Sequence, residues 1–330
     1  MQMQLLMFDR CMDTFKSAER RAFGVEPNLE CDRVHICRRR RPEWDEILAQ
    51  SGGYHLPKAS TIIEVPPLPD IIHSVKGDLS HFPYLGTLEE MIWAVPYSRA
   101  LGGGLENTER LTQWLDHQKL SSENLILLHQ ETHDEELERV FEKTFHPNFF
   151  PILRSAPNCV SISPGYSVYD DGSMCRHHQL YNMWRSIDFF VRACASGVPC
   201  IPSLGWNLKE DLDRIAEWLN AHPALQYVAM NAQTLSVSQF AMVSAAMKYI
   251  ENKARKLRWV VFGGQRISEF LNANGFGGRL HLVTTTHIQK ANAGRSLDVS
   301  YQPYSKVERF LGNYRIMAKT FGHYTAPPRV

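Results

Sequence analysis

Eight short apolar, β-rich runs recur between residues 61 and 284, and segments of helical period separate most of them. The runs are 61–65, 92–95, 124–128, 159–162, 198–201, 227–230, 259–262 and 280–284. Nearly continuous apolar sequence over so few residues is the pattern of a strand covered on both faces. The spacing predicts helices over 107–117, 134–145, 177–196, 208–221, 236–256 and 305–318. In 177–196, Tyr181, Trp184, Phe189 and Ala193 fall at helical spacing, and Ser236 and Ser238 are good N-cap residues for 236–256. Eight strands alternating with helices predict an α/β fold, a TIM-like (β/α)8 barrel; an open α/β sheet is the alternative. The glycines at 102–104 lack both the spacing and the following acid of a dinucleotide site, so none is expected.

Residues 1–58 depart from this pattern. They lack a clear apolar period, carry Arg38, Arg39, Arg40 and Arg41 beside His35, and end in the turn-rich SGGYHLPK. They read as an N-terminal basic extension, with residues 59–330 as the barrel domain. Hydrophobic residues at 44% and charged residues at 22% exclude a wholly disordered or fibrous chain. No apolar stretch reaches membrane-spanning length, so no membrane partner is expected. The start, MQMQLLMFDRCMD, lacks the basic region of a signal peptide. Seven cysteines without tight spacing suit a reducing compartment, and a cytoplasmic location is expected.

No cofactor is required by these features, and no metal site is expected. Cys31, His35 and Cys37 lie close together, but the spacing is not that of a zinc finger and no fourth ligand is evident. Cys175 with His177 and His178 is a nucleophile-and-base combination without a supporting local signature.

The formal net charge of +1 conceals an asymmetry. Residues 106–142 hold ten acids against three bases, a balance of −7, whereas residues 253–330 hold thirteen bases against three acids, a balance of +10. If the basic segments share a surface with Arg38–Arg41, that surface attracts phosphates; the alternative is a set of solvated faces. The candidate nucleic-acid contacts are Arg38, Arg39, Arg40, Arg41, Arg266, Lys290, Arg295 and Arg309.

A barrel keeps its chemistry at the strand C-termini. The predicted strand ends supply Glu64, Tyr97, Ser98, His129, Gln130, Glu131, Ser163, Tyr166, Ser203, Trp206, Asn231, Gln233, Gln265, Arg266, Thr285, Thr286 and His287. Amides match the edge of a nucleobase, and Tyr166 or Trp206 could stack on a flat ring. Cleavage at an anomeric carbon needs a carboxylate, for which Glu131, Asp134 and Asp170 are the candidates. Asp134 serves equally well as a helix N-cap, and Asp170 as a turn residue.

The segments LILLHQETHDEELERVF, VSISPGYSVYDDG, HHQLYNMWRS and GVPCIPSLGW, within residues 125–206, resemble in order and spacing a bacterial and phage family of unassigned function. That family carries paired acids, then S-P-D-F-S, then Q-x-Y-N-x-x-R, then I-P-x-x-x-W. The resemblance implies that Asp134 matches a family acid, that Gln179, Tyr181, Asn182 and Arg185 match the helix motif, and that Pro202 and Trp206 match the last. Gly165 stands where the family has Asp, so chemistry assigned to that Asp does not transfer. More distantly the chain resembles tRNA-guanine transglycosylase barrels, whose zinc-binding cysteine cluster it lacks, and anti-phage DNA glycosylases that act on modified cytosine. The resemblance implies a base-flipping DNA glycosylase, with modified phage DNA as its partner. Tyr166, Asn182, Arg185, Trp206, Asn231, Gln265 and His287 would bind the substrate. A non-catalytic nucleic-acid-binding barrel and a small-molecule glycosidase or nucleoside hydrolase are the alternatives.

Overall fold

The computed structural model describes residues 55–74, 92–101, 109–117, 125–129, 140–141, 143–156, 158–166 and 176–285, and single positions at 105, 107, 137, 168, 308, 309, 312, 313 and 316. Its strands are β1 (Ile71–Ser74), β2 (Trp93–Pro96), β3 (Ile126–His129), β4 (Cys159–Ile162), β5 (Cys200–Ile201), β6 (Tyr227–Asn231), β7 (Arg258–Phe262) and β8 (Leu280–Thr284). They form one sheet in the order β5-β4-β3-β2-β1-β8-β7-β6, and every pairing is parallel. The two ends of that order meet at a parallel bridge between Ser203 and Ala229. There Leu204 N–H donates to the Ala229 carbonyl, and Ala229 N–H to that of Pro202, both at 2.8 Å. The fold is a TIM-like (β/α)8 barrel.

Side chains alternate between the two faces of each strand. Ile72, Ala94, Leu127, Val160, Ile162, Ile201, Ala229, Val260, Phe262 and Val283 fill the lumen. Their neighbours, among them Ile71, Trp93, Val95, Ile126, Leu128 and Trp259, face the helices. The helices are α1 (Tyr97–Ala100), α2 (Arg110–His117), α3 (Phe149–Ser155), α4 (Arg176–Ala195), α5 (Lys209–Asn220), α6 (Phe240–Lys253) and α7 (Gln265–Leu271). The start of α5 is closed by Asp211, whose carboxylate accepts the N–H groups of Asn207 at 3.1 Å and Leu208 at 3.0 Å.

The first expected strand is a correction. Residues 61–65 are not in the sheet; β1 lies ten residues further on, at Ile71–Ser74. Pro66, Pro67 and Pro69 lack the N–H groups a central strand must donate, and residues 55–70 instead form a strap across the strand N-termini. Leu68 enters the lumen cluster, and its N–H donates to Tyr227 Oη at 3.3 Å. Earlier in the strap, Trp218 Nε1–H donates to the Pro57 carbonyl at 2.8 Å, and Ala59 N–H donates to His222 Nε2 at 3.0 Å. His222 Nδ1 in turn bonds the Trp218 carbonyl at 2.6 Å, which fixes the neutral tautomer with Nε2 as acceptor. The expected boundary at residues 58 and 59 falls inside this strap.

Candidate functional site at the strand C-termini

Continuing each strand's alternation upward places Ser74, Pro96, His129, Ser203, Asn231 and Phe262 around the C-terminal mouth of the lumen. His129 shares its face with Leu127, and its ring lies 4.9 Å from that of Phe262, tilted by 45°. Strands β3 and β7 are both odd-numbered, as a shared side-chain layer of a barrel requires. His129 is buried, whereas Asn231 is exposed.

Beside this mouth the residues after β4 are pinned at several points. Tyr97 Oη donates to the Ile162 carbonyl at 3.1 Å. Ser163 Oγ accepts the N–H of Ser203 at 2.7 Å, which ties the ends of β4 and β5 together. Ser186 Oγ, from α4, donates to the Pro164 carbonyl at 2.8 Å. One turn along α4, Gln179, Asn182 and Arg185 are all buried. The Arg185 guanidinium sits 3.6 Å from the centre of the Tyr166 ring, 5.2 Å from that of Tyr181 and 5.4 Å from that of Phe141. Its Nε donates to Asn182 Oδ1 at 3.1 Å. Spacing of three and four along the helix puts these groups on one face. Ser186 and the motif residue Arg185 therefore hold Pro164 and Tyr166 in place.

Of the residues expected to bind substrate, the structure brings Tyr166, Asn182 and Arg185 together. Tyr166 already carries Arg185 on one face. Trp206 is half-buried against the outer core, one residue after Gly205, where an added Cβ would meet Val168 Cγ2 at 3.1 Å. Asn231 Oδ1 accepts the Gln233 N–H at 2.9 Å, and Gln265 Nε2 donates to Glu269 Oε1 at 2.7 Å, so both are engaged within their own loops. Glu131, Asp134, Asp170, His287, Lys290, Arg295 and Arg38–Arg41 lie outside the described residues. Glu64 belongs to the strap and so to the opposite pole from the mouth. Sequence reasoning named His129 as a strand end but gave it no role. It also missed Phe141 and Ser186, whose contacts depend on long-range packing; the alternation along β3 was the available signal for His129.

The basic C-terminal third is split between the poles. Lys253, Arg255, Lys256, Arg258 and Arg279 cluster where α6 passes into β7 and where β8 begins, at the strand N-termini. Arg255 donates to the carbonyls of Leu219, His222 and Leu225, and Arg279 to that of Leu257 and to the Glu251 carboxylate. Arg266, exposed at the first turn of α7, is at the mouth pole. Arg309 is helical and half-buried.

A cavity of about 370 Å³ lies under the strap, lined by Ile62, Ile63, Glu64, Cys200, Leu225 and Tyr227 among others. It is at the strand N-termini, the pole that in barrels contributes stability and not chemistry. Burial pushes the Cys159 thiol up to about 12 and also raises those of Cys194 and Cys200, which makes them poor nucleophiles. Among the described residues no group of three or more His, Cys, Asp or Glu side chains could hold a metal ion. No described helix is long and apolar enough to cross a membrane. No family model matches the chain, and no curated protein matches it.

Proposed function

We propose that the chain is an N-glycosylase that hydrolyses the bond between a modified base and deoxyribose in DNA, with modified phage DNA as the substrate. The observation that carries this reading is the mouth itself. A buried histidine, two serines and an exposed amide lie at the strand ends, beside the buried group of Arg185, Asn182 and Tyr166. In sequence, Glu131 and Asp134 lie two and five residues after His129, within the acid-rich segment. The anomeric carbon is not reachable inside a duplex, so the target nucleotide would rotate into the mouth. There Asn231 and Gln265 would read the base edge, and Tyr166 or Trp206 would stack on it. Glu131, Asp134 or Asp170 would stabilise the oxocarbenium-like sugar and position water. Arg266 would hold phosphate at the rim.

Abasic-site formation by the full-length protein on DNA carrying modified cytosines tests the reading. Glu131→Gln, Asp134→Asn or Asp170→Asn should abolish cleavage and leave binding intact. A protein that binds such DNA and leaves every base in place would be a binding module instead.

The pole assignment of the charges supports a second reading, a small-molecule glycosidase or nucleoside hydrolase. Five of the seven described bases after residue 252 are on the pole away from the mouth, where they cannot guide a polymer into it. That enzyme would release base from free nucleosides, with little dependence on salt.

A further inference from the structure

We infer that His129 is the proton donor to the departing base, an assignment that rests on the N-glycosylase reading above. Among the described residues, His129 is the one ionisable side chain that the strands send into the C-terminal end of the lumen. The others there are Ser74, Pro96, Ser203, Asn231 and Phe262. The second inward-facing histidine, His281, is on β8 at the opposite end, against Tyr227 and the Pro69 carbonyl. His129 is 3% exposed, and its ring is fixed against Phe262 at 4.9 Å. A ring in a set orientation at the C-terminal end of the lumen is placed for proton transfer to a base seated at the strand ends.

The chemistry also calls for a second group beside the carboxylate. When the C1′–N bond breaks, its electron pair goes to the base nitrogen. An imidazolium would give its proton to the base, which then departs neutral. Water would add through oxygen to C1′ of the sugar cation, and the proton it loses would return to the imidazole. The balance is one water consumed, with one free base and one abasic sugar produced. A carboxylate that must remain negative opposite the sugar cation cannot also be this acid.

The test is single-turnover abasic-site formation by full-length protein across roughly pH 5–9, the range that spans histidine ionisation. The wild-type rate should fall as pH rises, because the donor loses its proton. His129→Gln should slow cleavage by about a hundredfold or more and flatten that limb, with DNA affinity unchanged. His129→Phe keeps an aromatic ring against Phe262 and should fold normally, with the same loss of rate. A substrate base methylated to a cation, which leaves without taking up a proton, should lose much less. Either variant cleaving at the wild-type rate would overturn the assignment, as would a wild-type profile without a falling alkaline limb. Both results leave the N-glycosylase reading standing. If wild-type protein forms no abasic sites on any modified DNA, that reading itself has failed, and the role of His129 goes with it.

Discussion

Arg185 is a charged side chain at 1% exposure, and its surroundings explain why it is arginine. The guanidinium is flat, weakly hydrated and able to lie on a ring while its Nε keeps a directed bond to Asn182. A lysine ammonium has neither the plane nor the fork. Arg185→Lys should therefore destabilise the fold by about 2 kcal/mol in chemical denaturation, the scale of a desolvated cation–ring contact. His281 makes a different kind of prediction. Burial lowers its pKa, and Arg258 adds to that; the Pro69 carbonyl and Asp70 oppose it. The unfolded chain thus takes up a proton at a pH where the folded chain does not. Stability is complete above the unfolded value of about 6.5 and is lost as pH falls below it toward the folded value. Thermal melts between pH 7.5 and pH 5 should show this decline, and His281→Gln should reduce its slope.

At the level of elements, the short strands were legible because each is a compact apolar run with turn residues on both sides. Seven of the eight expected runs overlap a strand of the barrel, and 159–162 and 280–284 match β4 and β8 end to end. The miss at 61–65 shows what such a run does not encode. TIIEV is as β-prone as any of the others, but its proline-rich sequel keeps it out of the ladder, while the unassuming IIHS is chosen because Leu282 and Trp93 flank it. Helix α3 escaped notice because Pro151 suggests a break; it is the third residue of the helix, where a missing N–H costs little. The contact of Arg185 with Tyr166 spans nineteen positions and could not be read from local pattern. Two element-scale substitutions follow. Ser163→Ala removes the acceptor for the Ser203 N–H at the β4–β5 junction. It should cost about 1–3 kcal/mol and speed amide exchange at Leu204 and Ala229, which close the adjoining seam. Gly263→Ala would put a methyl 2.8 Å from Ile267 Cγ2, on the first turn of α7. Because a β-branched residue in a helix is held to one χ1 rotamer, either Ile267 leaves it or α7 shifts, at about 1–3 kcal/mol in denaturant titration.

Across the whole molecule, the charge count of the sequence held no information about poles. Five bases that inflate the C-terminal balance belong to the strand N-termini, and two of them, Arg255 and Arg279, are spent on carbonyls and Glu251. The strap also passes beside α5, at that same pole. Under the DNA reading, Arg266→Ala should lower the salt slope of binding by about 1, and Lys256→Ala, at the far pole, should leave it unchanged.

The strap has one more consequence. With Leu68 seated in the lower lumen and aliphatic side chains packed above it, the barrel is stoppered at its base. Among the described residues the lumen is filled from that stopper up to Phe262, so nothing can thread through it. Under the glycosylase reading a severed base would depart on the side from which it arrived, and added free base should slow turnover.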